Sequence, residues 1–228
     1  MRSLAPFARL AAAFAFGLLA AGASASPDNP RAGVDYRILN TPQQTDSAGK
    51  VEVTEFFWYS CPHCNALEPS LEDWVAQQGD RIAFKRVPVA FRASMVPQQK
   101  LYYTLEAMGK VESLHGKVFN AIHVQRRNLD REAAIADWAA EQGLDRQKFL
   151  DVFNSFSVQS KVRRATQLQQ AYQVDGVPLL AVDGRFLTSP AIVSQSIGNR
   201  PEPVLHSATF KVLDHLIAQS ANGKGAAR

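Results

Sequence analysis

Only two of the 228 residues are cysteine. A chain of this length can bury a well-packed core without covalent staples. Two thiols are therefore too few for a disulfide scaffold, though enough for a reaction centre. No basic run interleaved with aromatic residues occurs, so nothing points to nucleic acid as a partner. No internal repeat or low-complexity tract appears either, and one core, or one core with an inserted subdomain, is expected. The apolar run Leu10 to Ala21 is shorter than the ~20 residues that a membrane-spanning helix needs.

That run belongs to Met1 to Ala25, which reads as a targeting segment. Arg2 and Arg9 give it a positive start, and Ala23-Ser24-Ala25 supplies a small-residue cleavage site. Cleavage is expected after Ala25, leaving Ser26 first. An uncleaved anchor is the competing reading, and the small-residue site directly after the apolar run weighs against it. Loss of Arg2 and Arg9 lowers the formal charge of +4 by two. An exported chain also carries its cysteines into surroundings where disulfides persist.

The stretch that organises the chain is Val51 to Trp74, VEVTEFFWYSCPHCNALEPSLEDW. Its first part is apolar, aromatic and β-branched, the composition of a buried strand. After Ser60 comes Cys61-Pro62-His63-Cys64, and Asn65 to Val75 reads as helix. The thiols thus fall at a strand tip and in the first helical turn. The free N–H groups and the dipole at a helix start stabilise a thiolate and lower its pKa. Pro62 suits the first helical position, where its missing N–H costs nothing. His63 brings a ring N–H and, when protonated, a positive charge. Cys61 is assigned as the attacking thiol and Cys64, one turn further in, as the resolving one.

Three other readings compete. A structural disulfide closing so small a loop removes little unfolded-state entropy. Half of a zinc site would need further ligands, and the five histidines (His63, His115, His123, His206 and His215) show no metal-ligand spacing. Two inert buried thiols would ignore the helix mouth altogether. A redox-active pair accounts best for the placement.

Glu55 is the odd residue in the strand, because a carboxylate among Val, Thr and Phe is costly to ionise without a partner. Two readings are open: a strand-edge glutamate that reaches water, or a buried carboxylate that accepts and returns the proton of Cys64. Lys85 is a candidate partner for it, with a solvated surface lysine as the alternative.

Around this stretch, Tyr36 to Leu39 could form an edge strand. Pro69 should kink the redox helix. Arg81 to Val87 reads as a strand parallel to the first. From Phe91 to Gln173 the period is helical: Ser94 before Val96–Met108, then Lys110–Val124, a helix capped by Asp130, one capped by Asp145, and Ser157–Tyr172. His115 and His123 read as ordinary packing or surface residues. Val177–Val182, Asp183-Gly184 and Arg185–Thr188 form a hairpin, in which Pro178 is a candidate cis proline that would expose the Val177 backbone to an extended peptide. Pro203–Gln219 is a closing amphipathic helix, with a frayed tail from Ala221.

Glu55-Phe56-Phe57, Cys61-Pro62-His63-Cys64 and Gly176-Val177-Pro178 together resemble the DsbA family of bacterial periplasmic thiol:disulfide oxidoreductases. The likeness covers essentially the whole chain after the targeting segment. It implies an α/β, thioredoxin-like fold with an inserted all-helical subdomain: residues 26–90 and 166–228 forming the thioredoxin-like part and 91–165 the insertion. It also implies that Cys61 exchanges with substrate, Cys64 resolves, Glu55 carries a proton and Val177–Pro178 is a cis bond facing the disulfide. Pro69 is similar to the kinking proline of thioredoxins. Trp58-Tyr59-Ser60 departs from some relatives, which bears on the peptide-facing rim. The resemblance further implies reduced exported proteins as substrates, reoxidation by a quinone-linked membrane partner of the DsbB type, a periplasmic location and no metal, flavin or nucleotide. A monomer is expected. A reductase or isomerase, or a non-catalytic peptide-binding module, are the alternative functions.

Overall fold

The computed structural model describes residues 28–47 and 49–226; the expected targeting segment and its cleavage site lie outside the described residues. The elements run β1 (Arg37–Ile38), β2 (Val51–Phe57), α1 (Pro62–Gln78), β3 (Ile82–Pro88), α2 (Val96–Ala107), α3 (Val111–His123), α4 (Glu132–Glu141), α5 (Arg146–Phe153), α6 (Phe156–Ala171), β4 (Leu179–Val182), β5 (Phe186–Thr188), α7 (Pro190–Ile197) and α8 (Glu202–Ala226).

One five-stranded sheet has the order β1-β5-β4-β2-β3. Strand β2 lies parallel to β3, and β4 pairs antiparallel with both β2 and β5. Every residue of β2 is buried, its polar members Glu52, Thr54 and Glu55 included. β1 closes the edge against β5, as the Tyr36 to Leu39 pattern predicts.

Two apolar cores fill the molecule. The larger joins Phe56, Phe57 and Tyr59 to the helical insertion through Leu101, Phe119, Trp138, Phe149 and Phe153. The second holds α1 and α8 together through Leu67, Leu71, Trp74, Leu213 and Leu216. Trp74 stacks on Phe210 with ring centroids 5.6 Å apart, and its Nε1–H donates to Asp214 over 3.1 Å. Pro69 sits inside α1.

Helix starts were legible unevenly. Asp145 caps α5, accepting from Lys148 N–H at 2.7 Å. Ser94 instead falls in a 3₁₀ turn, Ala93–Met95, that leads into α2. Asp130 does not cap α4, since Arg131 holds that position with no side-chain bond. Ser155, one residue outside α6, accepts from Val158 N–H at 3.2 Å. Helix α6 is unbroken from Phe156 to Ala171 and so crosses residue 165. Helix α7 was not foreseen, although Ser189 followed by Pro190 is a start signal, and its hydroxyl accepts from Ile192 N–H at 3.1 Å. Helix α8 reaches Ala226, past the tail expected from Ala221. Ser220 is buried, and Ala221, Asn222 and Gly223 beyond it are exposed.

The β4–β5 hairpin turns at Asp183 and Gly184, both with positive φ, 52° and 67°. Arg185 N–H closes the turn on Val182 O at 3.0 Å. A Cβ at Gly184 would stand 2.1 Å from the Gln43 carbonyl oxygen, so the strap before β2 can cross here only over glycine.

Candidate active site

β2 delivers the chain to the turn Trp58-Tyr59-Ser60, where Cys61 N–H donates to Trp58 O at 3.0 Å. Cys61 stands just outside α1 in an extended conformation, and Pro62 occupies the first turn. The two thiols are unbonded, so this is the dithiol form. Cys61 is 7% exposed and Cys64 fully buried. The Cys61 Sγ lies 3.4 Å from the carbonyl oxygen of Val177, to which the protonated thiol donates. The Val177–Pro178 bond is cis.

The thiols are electrostatically unlike. A hydrogen bond from the Cys64 thiol, then the backbone N–H groups of Cys64 and His63 and the His63 charge, outweigh desolvation and bring Cys61 down to about 6. Burial, with the Cys61 sulfur beside it, pushes Cys64 well above the ordinary thiol value. A helix mouth therefore stabilises one sulfur as an anion, while the apolar wall behind keeps the other protonated.

His63 does not aim its ring at the sulfur. Its Nδ1 lies 2.7 Å from Glu202 Oε1 in the first turn of α8, and the pair is exposed. The closer help to Cys61 comes from the His63 backbone.

Glu55 is fully buried, which removes the water-reaching reading. Its partner is Arg86, whose Nε donates to Oε2 over 3.2 Å. Lys85 sits opposite Thr54 and Arg86 opposite Glu55. The pleat therefore sends Lys85 elsewhere, to Asp46 at 3.0 Å and Glu52 at 2.7 Å. Burial first, then the nearby Glu68 carboxylate, push Glu55 up to about 8 against the pull of Arg86.

Sequence reasoning missed the rest of this cluster. Arg86 Nη2 also donates to Glu68 Oε1 at 2.5 Å. Glu68 faces His115 Nε2 at 3.3 Å, and His115 Nδ1 meets the Tyr59 hydroxyl at 2.8 Å. His115 is 1% exposed. Its spacing from Val111 and Phe119 places it on the buried stripe of α3, which was the available signal. His123 Nε2 lies 2.8 Å from Tyr59 O. Among the described residues no group of three or more His, Cys, Asp or Glu is placed to hold a metal ion.

Beside the cysteines runs a groove of about 520 Å³, lined among others by Val34, His63, Val177, Pro178, Ile192 and Leu205. Two of its lining residues adjoin Cys61, His63 in the chain and Val177 through the 3.4 Å sulfur contact, so the groove lies where an extended chain could be held beside the thiol.

The DSBA-like thioredoxin domain matches residues 83–208. The thiol:disulfide interchange protein DsbA of Burkholderia cepacia is 45% identical over 209 residues, 91% of this chain and 94% of that protein. The chain belongs to the DsbA family. An alignment of that length necessarily includes both cysteines. The DsbA of Pseudomonas aeruginosa is 36% identical over 95% of this chain and 96% of its own length. A crystal structure of P. aeruginosa DsbA superposes with a TM-score of 0.77 at 34% identity, covering 86% of this chain and 96% of that one. The DsbA oxidoreductase of Xylella fastidiosa gives 0.74 at 25% identity, over 84% of this chain and 97% of that one. The fold is thus the DsbA-like thioredoxin fold with its helical insertion, and the activity is thiol:disulfide exchange.

Proposed function

We propose that the protein donates its Cys61–Cys64 disulfide to newly exported proteins in the periplasm, with Cys61 as the exchanging sulfur. The contrast between the thiols carries this reading: Cys61 is held near 6 at the groove, and Cys64 is buried and held protonated. A folded state that stabilises the Cys61 thiolate stabilises the dithiol form, which makes the disulfide form oxidising.

The steps balance as follows. A substrate thiolate attacks the Cys61 sulfur, the Cys61–Cys64 bond breaks, and Cys64 leaves as a thiolate. Glu55, protonated at neutral pH because burial raises it to about 8, gives its proton to Cys64. A second substrate thiolate attacks the substrate sulfur of the mixed disulfide, the substrate disulfide forms, and Cys61 departs as a stable thiolate. Pro62 opens the helix at Cys61, the His63 backbone N–H steadies the anion, and the Val177–Pro178 edge pairs with the substrate backbone. The residues themselves carry both electrons, so no metal, flavin or nucleotide enters the scheme. Reoxidation falls to a DsbB-type quinone-linked membrane partner, and the protein acts as a monomer after cleavage behind Ala25.

The test is the equilibrium of the purified protein with glutathione, together with trapping of a substrate on a Cys64→Ala variant. An oxidising disulfide and a mixed disulfide at Cys61 support the reading. A strongly reducing couple would point to a reductase, and retention of full activity in Cys61→Ser would point to a binding module.

A further inference from the structure

Two buried carboxylates flank one guanidinium. Arg86 can neutralise one negative charge, so Glu55 and Glu68 compete for the right to be ionised. Glu68 has two neighbours that Glu55 lacks, Glu72, which shares a hydrogen bond with it, and His115. Behind Glu68, on the helical insertion, stands His115, whose Nε2 faces Glu68 Oε1 at 3.3 Å, a contact whose geometry falls short of a full hydrogen bond. Its other nitrogen, Nδ1, meets the Tyr59 hydroxyl at 2.8 Å. Burial holds Tyr59 well above the ordinary phenol value, so the hydroxyl keeps its hydrogen; it donates to His115, because the opposite tautomer would set an Nε2 lone pair against the Glu68 carboxylate. Nδ1 must then accept, and the ring hydrogen stands on Nε2, directed at Glu68. Each carboxylate keeps one buried oxygen without a hydrogen-bond partner, Oε1 of Glu55 and Oε2 of Glu68, but no imidazole stands behind Glu55.

We propose that His115 is a positioning residue of the redox centre: held by Tyr59, it fixes the buried negative charge on Glu68 and so leaves the proton on Glu55. This deepens the reading of Glu55 as the proton carrier for Cys64 and rests on it. The groups that face the cluster are Glu55 and Tyr59 from β2 and its turn, Cys61, Cys64, Glu68 and Glu72 around α1, Arg86 from β3 and Tyr102 from α2. Burial acts to raise Glu68, but the His115 contact, then Arg86 and a hydrogen bond from Glu72, prevail and lower it. The Glu68 charge is in turn the second largest cause that raises Glu55. Burial also holds His115 below its usual value, a neutral ring suited to donate one hydrogen and accept another. The helical insertion therefore does more than cover the sheet: through one imidazole it sets which carboxylate serves the cysteines.

The experiment uses the full exported chain as a mixed disulfide between Cys61 and glutathione. When Cys64 attacks, its S–H proton passes to the Glu55 carboxylate, the Cys61–Cys64 bond forms, and glutathione leaves as a thiolate. The rate should rise with pH as Glu55 ionises. His115→Phe keeps the ring volume and removes the donor; the midpoint of that rise should move to lower pH, a loss of about tenfold in the proton affinity of Glu55. His115→Gln, which restores an N–H donor, should recover most of it. In a Glu68→Gln background His115→Phe should add nothing. Tyr59→Phe should shift the midpoint the same way by less, and it serves if His115→Phe does not fold. An unmoved midpoint in folded His115→Phe and Tyr59→Phe, while Glu55→Gln abolishes the rise, overturns the role of His115 and leaves that of Glu55 standing. If Glu55→Gln keeps the rise, the Glu55 reading fails instead. The infrared carbonyl band of protonated Glu55, followed against pH in the wild type and in His115→Phe, then decides the proposal, and equal midpoints refute it.

Discussion

Arg86 donates to Glu55 over 3.2 Å from the adjacent position of the neighbouring strand. Among the described residues the guanidinium is the one cation bonded to the buried carboxylates beneath the cysteines, and it serves Glu68 as well. Replacing Arg86 with Met should cost about 3–5 kcal/mol, since it leaves the ionised Glu68 carboxylate buried without its cation and Glu55 without its donor. Urea unfolding of the oxidised protein at neutral pH measures this, and part of the loss should return at low pH, where both carboxylates are protonated.

Glu55 should weaken the fold that it serves. Its folded value of about 8 stands above its ordinary 4.5, so the folded state holds the proton more tightly. The resulting stability is present below pH 4.5 and is lost as pH rises through about 8. Glu55→Gln should therefore stabilise the dithiol protein at neutral pH by on the order of 3 kcal/mol and have little effect near pH 4. The same variant should slow Cys64-dependent exchange. Paired unfolding curves at the two pH values check the first expectation, and stopped-flow exchange the second.

The redox state should change stability in the opposite pH sense. Cys61 is held near 6 in the folded dithiol against an ordinary 9. A depressed acid stabilises the fold fully above its unfolded value, and this is lost as pH falls through the folded one. The dithiol form should gain on the disulfide form from pH 6 upward, by about 4 kcal/mol once pH passes 9. Thermal unfolding of both forms across that range measures the gap.

Gly184→Ala tests the strap that crosses the hairpin. The added Cβ would meet the Gln43 carbonyl oxygen at 2.1 Å in a backbone with φ of 67°. A cost on the order of 3 kcal/mol is expected, read by urea unfolding. The glutathione equilibrium should stay unchanged, because the turn is remote from the groove lining.

How much of this could be read from the chain depended on whether the signal was local. The buried strand, Cys61 at the mouth of α1 and the hairpin at Asp183-Gly184 follow from adjacent residues, and so did their prediction. The partner of Glu55 did not, since choosing Arg86 over Lys85 requires the β2–β3 register, and a shift of one residue reverses the side. Glu68 and His115 meet only because α3 folds back on α1, a contact between residues far apart in sequence. Helix α7 was lost for a different reason: its short apolar run gave too little periodicity to register, despite the Ser189-Pro190 start.

A direct optical titration of the Cys61 thiolate, by its ultraviolet absorbance in the dithiol protein, tests the central claim. The account predicts a midpoint of about 6 that disappears in Cys61→Ser. A midpoint near the ordinary 9 would contradict it, because the helix mouth would then hold no anion and the disulfide would have no reason to oxidise a substrate.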